Sequence, residues 1–405
     1  MKTSIVIIGG GFGGLEAAFS LKELMGDRAD ITLVDQNEFH AFLPSIHEIS
    51  SGKIQARSIQ VPLRTVLLPA GIRFVQDRAD EIRIEQQQVV TGSTALKYDY
   101  LVLATGAENH YYGIPGARDF SHRFRSIKDA ERIHDELVRI LSGQSRETHL
   151  VLAGGGTEGV EAAGEVMDLI ESSGCCGDVA AGRMTVTLIE GQDKVLPGSP
   201  QGAGDFAADH LAKRGVTIMT SQRVAAVRKG SLTLASGTEL PQDMLIWSGG
   251  IKPSRFIEQL PLRKDDAGWV IVTDRLAVPE NDRIYAVGDA VSILSPGGPL
   301  LLPRLAYHAQ DQAVTASLNI SSHLQGKPLM SYSLRKKPQL ISIGSDMGIV
   351  IAGDRFRTGS WVVGLKKAVE RKYLLAALSR PLLTAALQRT PGLGLIKRMK
   401  LLLPF

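Results

Sequence analysis

A short β-branched run that ends in a cluster of glycines and continues into a helical pattern is written twice in this chain. Residues 4–8 lead into Gly9-Gly10-Gly11-Phe12-Gly13-Gly14, and Leu15, Ala18, Phe19 and Leu24 follow at helical spacing. Residues 150–153 lead into Gly154-Gly155-Gly156-Thr157-Glu158-Gly159 and another helical segment. Each copy then reaches a second apolar strand closed by an acid, 31–34 before Asp35 and 185–189 before Glu190. In G-x-G-x-x-G the first glycine permits the tight turn, the second lets a pyrophosphate approach the backbone, and the third packs helix on strand. The helix N-terminus then faces the anion, and the acid accepts hydrogen bonds from an adenosine ribose. One such fingerprint is also explained by a plain glycine turn. Two complete copies predict an α/β chain with two Rossmann-like dinucleotide-binding domains.

Two further strand ends are superfluous for a simple NAD site. Residues 101–103 run into Ala104-Thr105-Gly106, and 284–287 run into Gly288-Asp289, a glycine that admits close approach beside a carboxylate suited to a ribityl chain. With these elements the sequence resembles the two-dinucleotide-binding flavoprotein superfamily. The resemblance implies that Gly9, Gly11, Gly14, Asp35, Ala104, Thr105, Gly106, Gly288 and Asp289 hold FAD. The second copy then takes the nicotinamide cofactor, with Gly154, Gly156 and Gly159 under its pyrophosphate and Glu190 on its ribose. A carboxylate at that place repels a 2′-phosphate, so NADH is expected over NADPH. The expected map is FAD segments at 1–112 and 268–330, an inserted NADH domain at 113–267, and a separate region at 331–405. Gly113-Ile114-Pro115-Gly116 reads as a hinge into the insert.

Within that superfamily, residues 3–350 resemble type II NADH dehydrogenases, the single-subunit NADH:quinone oxidoreductases. The matching words are Ala104-Thr105-Gly106-Ala107-Glu108-Asn109 with Tyr112-Gly113-Ile114-Pro115-Gly116, Gly159-Val160-Glu161-Ala162-Ala163-Gly164-Glu165, and Ile246-Trp247-Ser248-Gly249-Gly250. The resemblance implies a non-proton-pumping enzyme, peripheral on the cytoplasmic face of the cell membrane, that passes hydride from NADH to FAD and electrons on to quinone. Dimerisation is plausible for the family. The resemblance further places Glu161 and Gly249 at the NADH site and Glu165 at the catalytic meeting point, where a solvated helix glutamate is the competing reading. For quinone it points to Tyr307, Gln310 and Gln312. The family usually writes Ala-Gln-x-Ala-x-Gln-Gln where this chain has Ala306-Tyr307-His308-Ala309-Gln310-Asp311-Gln312, which puts the quinone type in question.

Composition narrows the alternatives. With 405 residues, 44% apolar and 22% charged, the chain is long enough for two or three domains of ordinary soluble composition. Its two cysteines, Cys175 and Cys176, are adjacent, which suits neither an ordinary disulfide nor a metal site and suggests a reducing, intracellular setting. A disulfide reductase needs a dithiol near the flavin, and this chain has no cysteine before 175. Sulfide:quinone oxidoreductases use separated cysteines on both sides of the flavin, which leaves sulfide oxidation as a runner-up and a slow flavin redox sensor as a third reading. No run of 18 apolar residues suggests a transmembrane helix, and the glycines and Glu16 argue against a signal peptide. His40 and His47 lack a metal-ligand pattern and read as bland, and Trp247 reads as packing.

Residues 361–405 carry nine Lys or Arg against one Glu, a net +8 that leaves −4 for the remainder. Lys366, Lys367, Arg371 and Lys372 alternate with Leu365, Val369 and Tyr373. Farther on, Leu395, Ile396, Met399, Leu402 and Leu403 oppose Lys397, Arg398 and Lys400. Short amphipathic basic helices divided by Pro381 and Pro391 are expected, lying on an anionic membrane surface; nucleic-acid binding is not expected.

Overall fold

The structure, a computed structural model, describes residues 2–143, 147–295, 298–300 and 303–389. Its first unit is a six-stranded sheet in the order Ala277–Val278, Asn281–Ala286, Tyr100–Leu103, Thr3–Ile8, Ala29–Asp35, Arg73–Gln76. All pairings are parallel except the edge hairpin. Ile5, Ile7, Leu33, Leu101 and Val102 are fully buried, as expected where helices cover both faces of a parallel sheet. The second unit is a parallel sheet in the order His122–Arg123, Met244–Trp247, Thr148–Ala153, Met184–Ile189, Val216–Met219. The glycine-loop strand occupies the same place in both. A late strand flanks it on one side, and the acid-ending strand and then a third strand flank it on the other.

The units are joined by two antiparallel strands, Ala107–Asn109 against Ile251–Pro253. Ile257 and Leu260 belong to the core of the first unit, so the chain crosses back near 251 and not at the expected 267. The expected hinge at 113–116 is docked instead. Val227 N donates to Pro115 O at 2.9 Å, and Ile114 packs in the apolar cluster of the second unit.

The C-terminal region is no separate tail. Strands Gln339–Ser342, Gly348–Ala352 and Arg355–Thr358 form an antiparallel sheet whose Ile341, Ile349 and Ile351 join the core of the second unit. The C-terminal helix then runs unbroken from Trp361 to Arg389, with Pro381 inside it. A proline there removes one helix hydrogen bond and crowds the preceding turn, which is why the sequence predicts a break. Buried ion pairs hold the helix across that point. Arg380 Nε meets Glu23 at 2.7 Å and its Nη2 meets Glu16 at 3.0 Å, while Thr384 donates to Glu23 at 3.0 Å.

The same helix turns Lys366 onto Glu161 at 2.5 Å and Lys367 onto Glu48, so these two lysines do not form the expected lipid-facing basic surface. The second expected basic helix, including Leu395, Ile396, Met399, Leu402, Leu403, Lys397, Arg398 and Lys400, lies outside the described residues. Among the described residues no helix is long and apolar enough to cross a membrane.

Removing one partner from a buried ion pair strands the other charge out of water. Arg380→Ala leaves Glu16 and Glu23 without their cation, and a loss of about 3–5 kcal/mol in unfolding free energy is expected, read from denaturant melts of the variant against the parent.

Candidate active site

The two glycine loops are built alike. Gly9 has φ +104°, and a Cβ on Gly14 would collide with the Gly9 carbonyl oxygen; Gly154 and Gly159 repeat this relation. Gly11 and Gly156 each cap their helix in an extended conformation with open space where a Cβ would stand. The open side of each loop is therefore a helix N-terminus with its amides available to an anion.

The acids close each loop identically. Asp35 Oδ2 accepts from Gly10 N and Glu190 Oε2 from Gly155 N, both at 2.6 Å. The second oxygens accept from Asn37 N and Gln192 N, both at 2.7 Å. Asp35 Oδ1 accepts a second bond from Asn37 Nδ2 at 2.9 Å, whereas Asp35 Oδ2 and both oxygens of Glu190 keep a lone pair with which a ribose hydroxyl could be received. Beside the first loop, the Ala104 carbonyl lies against Gly9, and the buried Thr105 Oγ1 finds no hydrogen-bond partner among the described residues. A buried hydroxyl without a partner is costly, and one beside an open phosphate cradle fits a dinucleotide seated there.

A cleft of about 250 Å³ opens beyond Gly288 and Asp289. The helix Ala306–Leu324 presents His308, Ala309 and Gln312 to it, together with Leu305 at the cap, which is one face at helical spacing. Tyr307 and Gln310 are off that face. Tyr307 turns to Lys337, whose Nζ sits 5.1 Å from its ring centroid, and Asp311 also pairs with Lys337 at 3.3 Å. Gln312 lines the cleft, but its Oε1 is spent on Gly288 N at 2.6 Å. It props the flavin-type loop, so the expected quinone trio does not form a set here. His308, to which the sequence assigns no role, lies on the cleft face with its Nδ1 3.3 Å from Tyr332 OH.

Asp289 carries two roles in this cleft. Its carboxylate receives Arg125 Nη2 at 2.9 Å from the second unit, and its carbonyl receives Arg304, whose guanidinium stacks 3.5 Å above Trp269. Glu158, in the first turn of the second loop helix, is pushed up to about 7 by burial, with Arg125 opposing the shift.

Both glutamates of the Gly159–Glu165 word are buried. Glu161 is 6% exposed and is held by Lys366 and by Ser342 N at 3.2 Å, with His47 Nδ1 3.6 Å away. Its carboxylate is bonded to two groups of the C-terminal segment. Glu165 is no solvated glutamate: it accepts from Ser51 Oγ and from Lys53 Nζ at 2.8 Å, and burial raises its pKa. His47, read as bland, lies beside the Glu161–Lys366 pair, its pKa lowered by burial and by the surrounding lysines. Gly249 lies against the Trp247 ring, with its carbonyl accepting from Tyr112 OH at 3.0 Å. Trp247 itself is buried packing.

A raised carboxyl pKa has a defined sign. Between its ordinary 4.5 and about 7, Glu158 keeps a proton in the folded chain that the unfolded chain has lost. The stability this supplies is complete below 4.5 and is lost as pH rises through about 7. Glu158→Gln is expected to flatten the fall in melting temperature across that window.

Demethylphylloquinone reductase NdbB of Synechocystis is 28% identical, over 87% of this chain and 87% of its own length. A type II NADH:quinone oxidoreductase of Staphylococcus haemolyticus is 25% identical, over 92% of this chain and 95% of its own. In fold, the chain matches NDH2 from Plasmodium falciparum, solved in complex with NADH, at a TM-score of 0.83 and 19% identity, covering 97% of this chain and 99% of that one. Residues 3–313 match the pyridine nucleotide-disulphide oxidoreductase family. The chain belongs to the pyridine nucleotide-disulphide oxidoreductase family.

Proposed function

We propose that this protein is an FAD-dependent NADH:quinone oxidoreductase that pumps no protons. One observation carries the reading: two dinucleotide cradles of the same design, each closed by an acid on its loop amide, within one chain. FAD, when bound in the first cradle, supplies the two-electron carrier between nicotinamide and quinone. Glu190 favours NADH over NADPH, because its carboxylate stands where a 2′-phosphate would be repelled. Glu165, buried and linked to Lys53 and Ser51, is suited to hold a proton near the acceptor.

The proposal uses no thiol. Cys175 follows the C-terminal end of the 16-residue helix that starts at the second glycine loop. At 1.5 Å rise per residue that end lies about 24 Å from the loop. The relatives' names support a quinone as acceptor.

The proposed site of the protein is the cytoplasmic face of the cell membrane. Trp361, Leu365, Ala368, Lys372, Leu375, Ser379 and Leu382 recur every three or four residues along the outer side of the C-terminal helix and are all exposed. Leu375 is 67% exposed and Leu382 78%, with Leu378 beside them at 47% and Arg371 exposed between the apolar groups. An apolar stripe with cations in it suits the interface of an anionic leaflet. It differs from the lysine-led face expected from sequence. The inner residues of this helix bind both units, so deleting it whole would damage the enzyme as well as release it.

Anaerobic titration tests the chemistry. The flavin band should bleach with one equivalent of NADH and return with a quinone; a band indifferent to NADH, or one that bleaches with sulfide instead, overturns the reading. The membrane placement is tested separately. Leu375→Asp/Leu378→Asp/Leu382→Asp is expected to abolish sedimentation with anionic phospholipid vesicles while NADH oxidation by a soluble acceptor persists.

A further inference from the structure

His40 is 2% exposed, and both of its ring nitrogens are engaged. Nδ1 lies 3.0 Å from the carbonyl oxygen of Gly10, in the middle of the first glycine loop. Nε2 lies 2.8 Å from the hydroxyl of Tyr373, on the C-terminal helix. A carbonyl oxygen can only accept, so Nδ1 carries the proton, and Nε2 accepts from the tyrosine. Burial pulls the imidazole down to about 4, which keeps it neutral and in that one tautomer at ordinary pH. Phe12 meets the ring edge-on at 4.9 Å between centroids, and Tyr373 packs 5.2 Å from both Phe12 and Phe42. The imidazole is thus walled in as well as bonded.

The consequence falls on one peptide bond. Gly10 N is committed to Asp35, and Gly10 O to His40. In a trans peptide the carbonyl and the following N–H point to opposite sides, and the described residues contain no cis bond. Holding the Gly10 carbonyl toward His40 therefore turns the Gly11 N–H the other way. Gly11 is the residue whose Cβ position is open, at the cap of the helix Phe12–Met25.

We propose that His40 and Tyr373 are positioning residues for FAD: through them the C-terminal helix fixes the Gly10–Gly11 peptide with its Gly11 N–H toward the cofactor's pyrophosphate. This rests on the assignment of FAD to the first cradle. Without the tyrosine hydroxyl, the imidazole loses its second tether, and the ring is free to turn its Nδ1–H away from the Gly10 oxygen. Flavin retention in this reading depends on the seating of a helix more than three hundred residues away in sequence.

The experiment follows FAD release from full-length holoprotein by the rise of free-flavin fluorescence after dilution. Tyr373→Phe, which keeps the ring, and His40→Leu, which removes both bonds, are expected to speed release about tenfold. His40→Asn places an amide N–H where Nδ1 stood and should hold release within about threefold of the parent. NADH affinity, read by fluorescence titration, should be unchanged in all three. A purely structural role predicts another pattern, in which the smaller asparagine is as harmful as leucine and NADH affinity falls in step. That pattern, or parental release rates in Tyr373→Phe, overturns the relay. If His40→Leu does not fold, the Tyr373→Phe and His40→Asn comparison decides alone. A parent protein that retains no FAD would instead refute the assignment of the first cradle.

Discussion

Four carboxylates buried on the two dinucleotide units, Glu16, Glu23, Glu48 and Glu161, are each met by a cation from one helix at the end of the chain. A carboxylate removed from water is tolerated where a cation answers it. The pairing therefore makes the C-terminal helix a strap whose absence would leave charges stranded in both units. Hydride transfer needs reacting atoms about 3–3.5 Å apart, and two units joined by a pair of crossing strands would not hold that distance unaided. The strap, the Arg125–Asp289 pair and the Glu165–Lys53 contact each tie the second unit to the first.

The likeness of the two units extends to single hydrogen bonds. In each, the late strand lies beside the glycine strand, and its end meets the first glycine of the loop, Ala104 at Gly9 and Ser248 at Gly154. In each, the acid ending the second strand reaches back to the second glycine's amide. Because each carboxylate locks its loop through the second glycine's amide, removal of Asp35 or Glu190 would loosen the glycine loop itself.

What could be read from the letters was what depends on local backbone geometry. Gly9, Gly14, Gly154 and Gly159 are where close approach forbids a Cβ, and a glycine there is visible in sequence with its reason attached. The placement of Asp35 and Glu190 at the ends of matching strands was legible from spacing, while their bonds to the loop amides were not. The misreadings share a cause, which is that they turn on partners distant in sequence. Lys366 and Lys367 look like surface lysines until Glu161 and Glu48 are found behind them. Pro381 breaks an isolated helix but not one pinned at Arg380 and Thr384. His40 and His47 have no neighbours in sequence that announce a role, since the groups they serve lie thirty to more than three hundred residues away.

The crossing strands have a consequence for how such a chain can change. Asn109 and Ile251 stand opposite one another in the pairing, so the inserted unit leaves and rejoins its host at points one strand spacing apart, about 5 Å. An insert whose ends nearly touch behaves as a cassette: it can be exchanged for a homologous module, or its ends sealed by a short loop, without stretching the host sheet. The strap sets the limit on that exchange, because any replacement must bring its own acid to the position of Glu161 to receive Lys366.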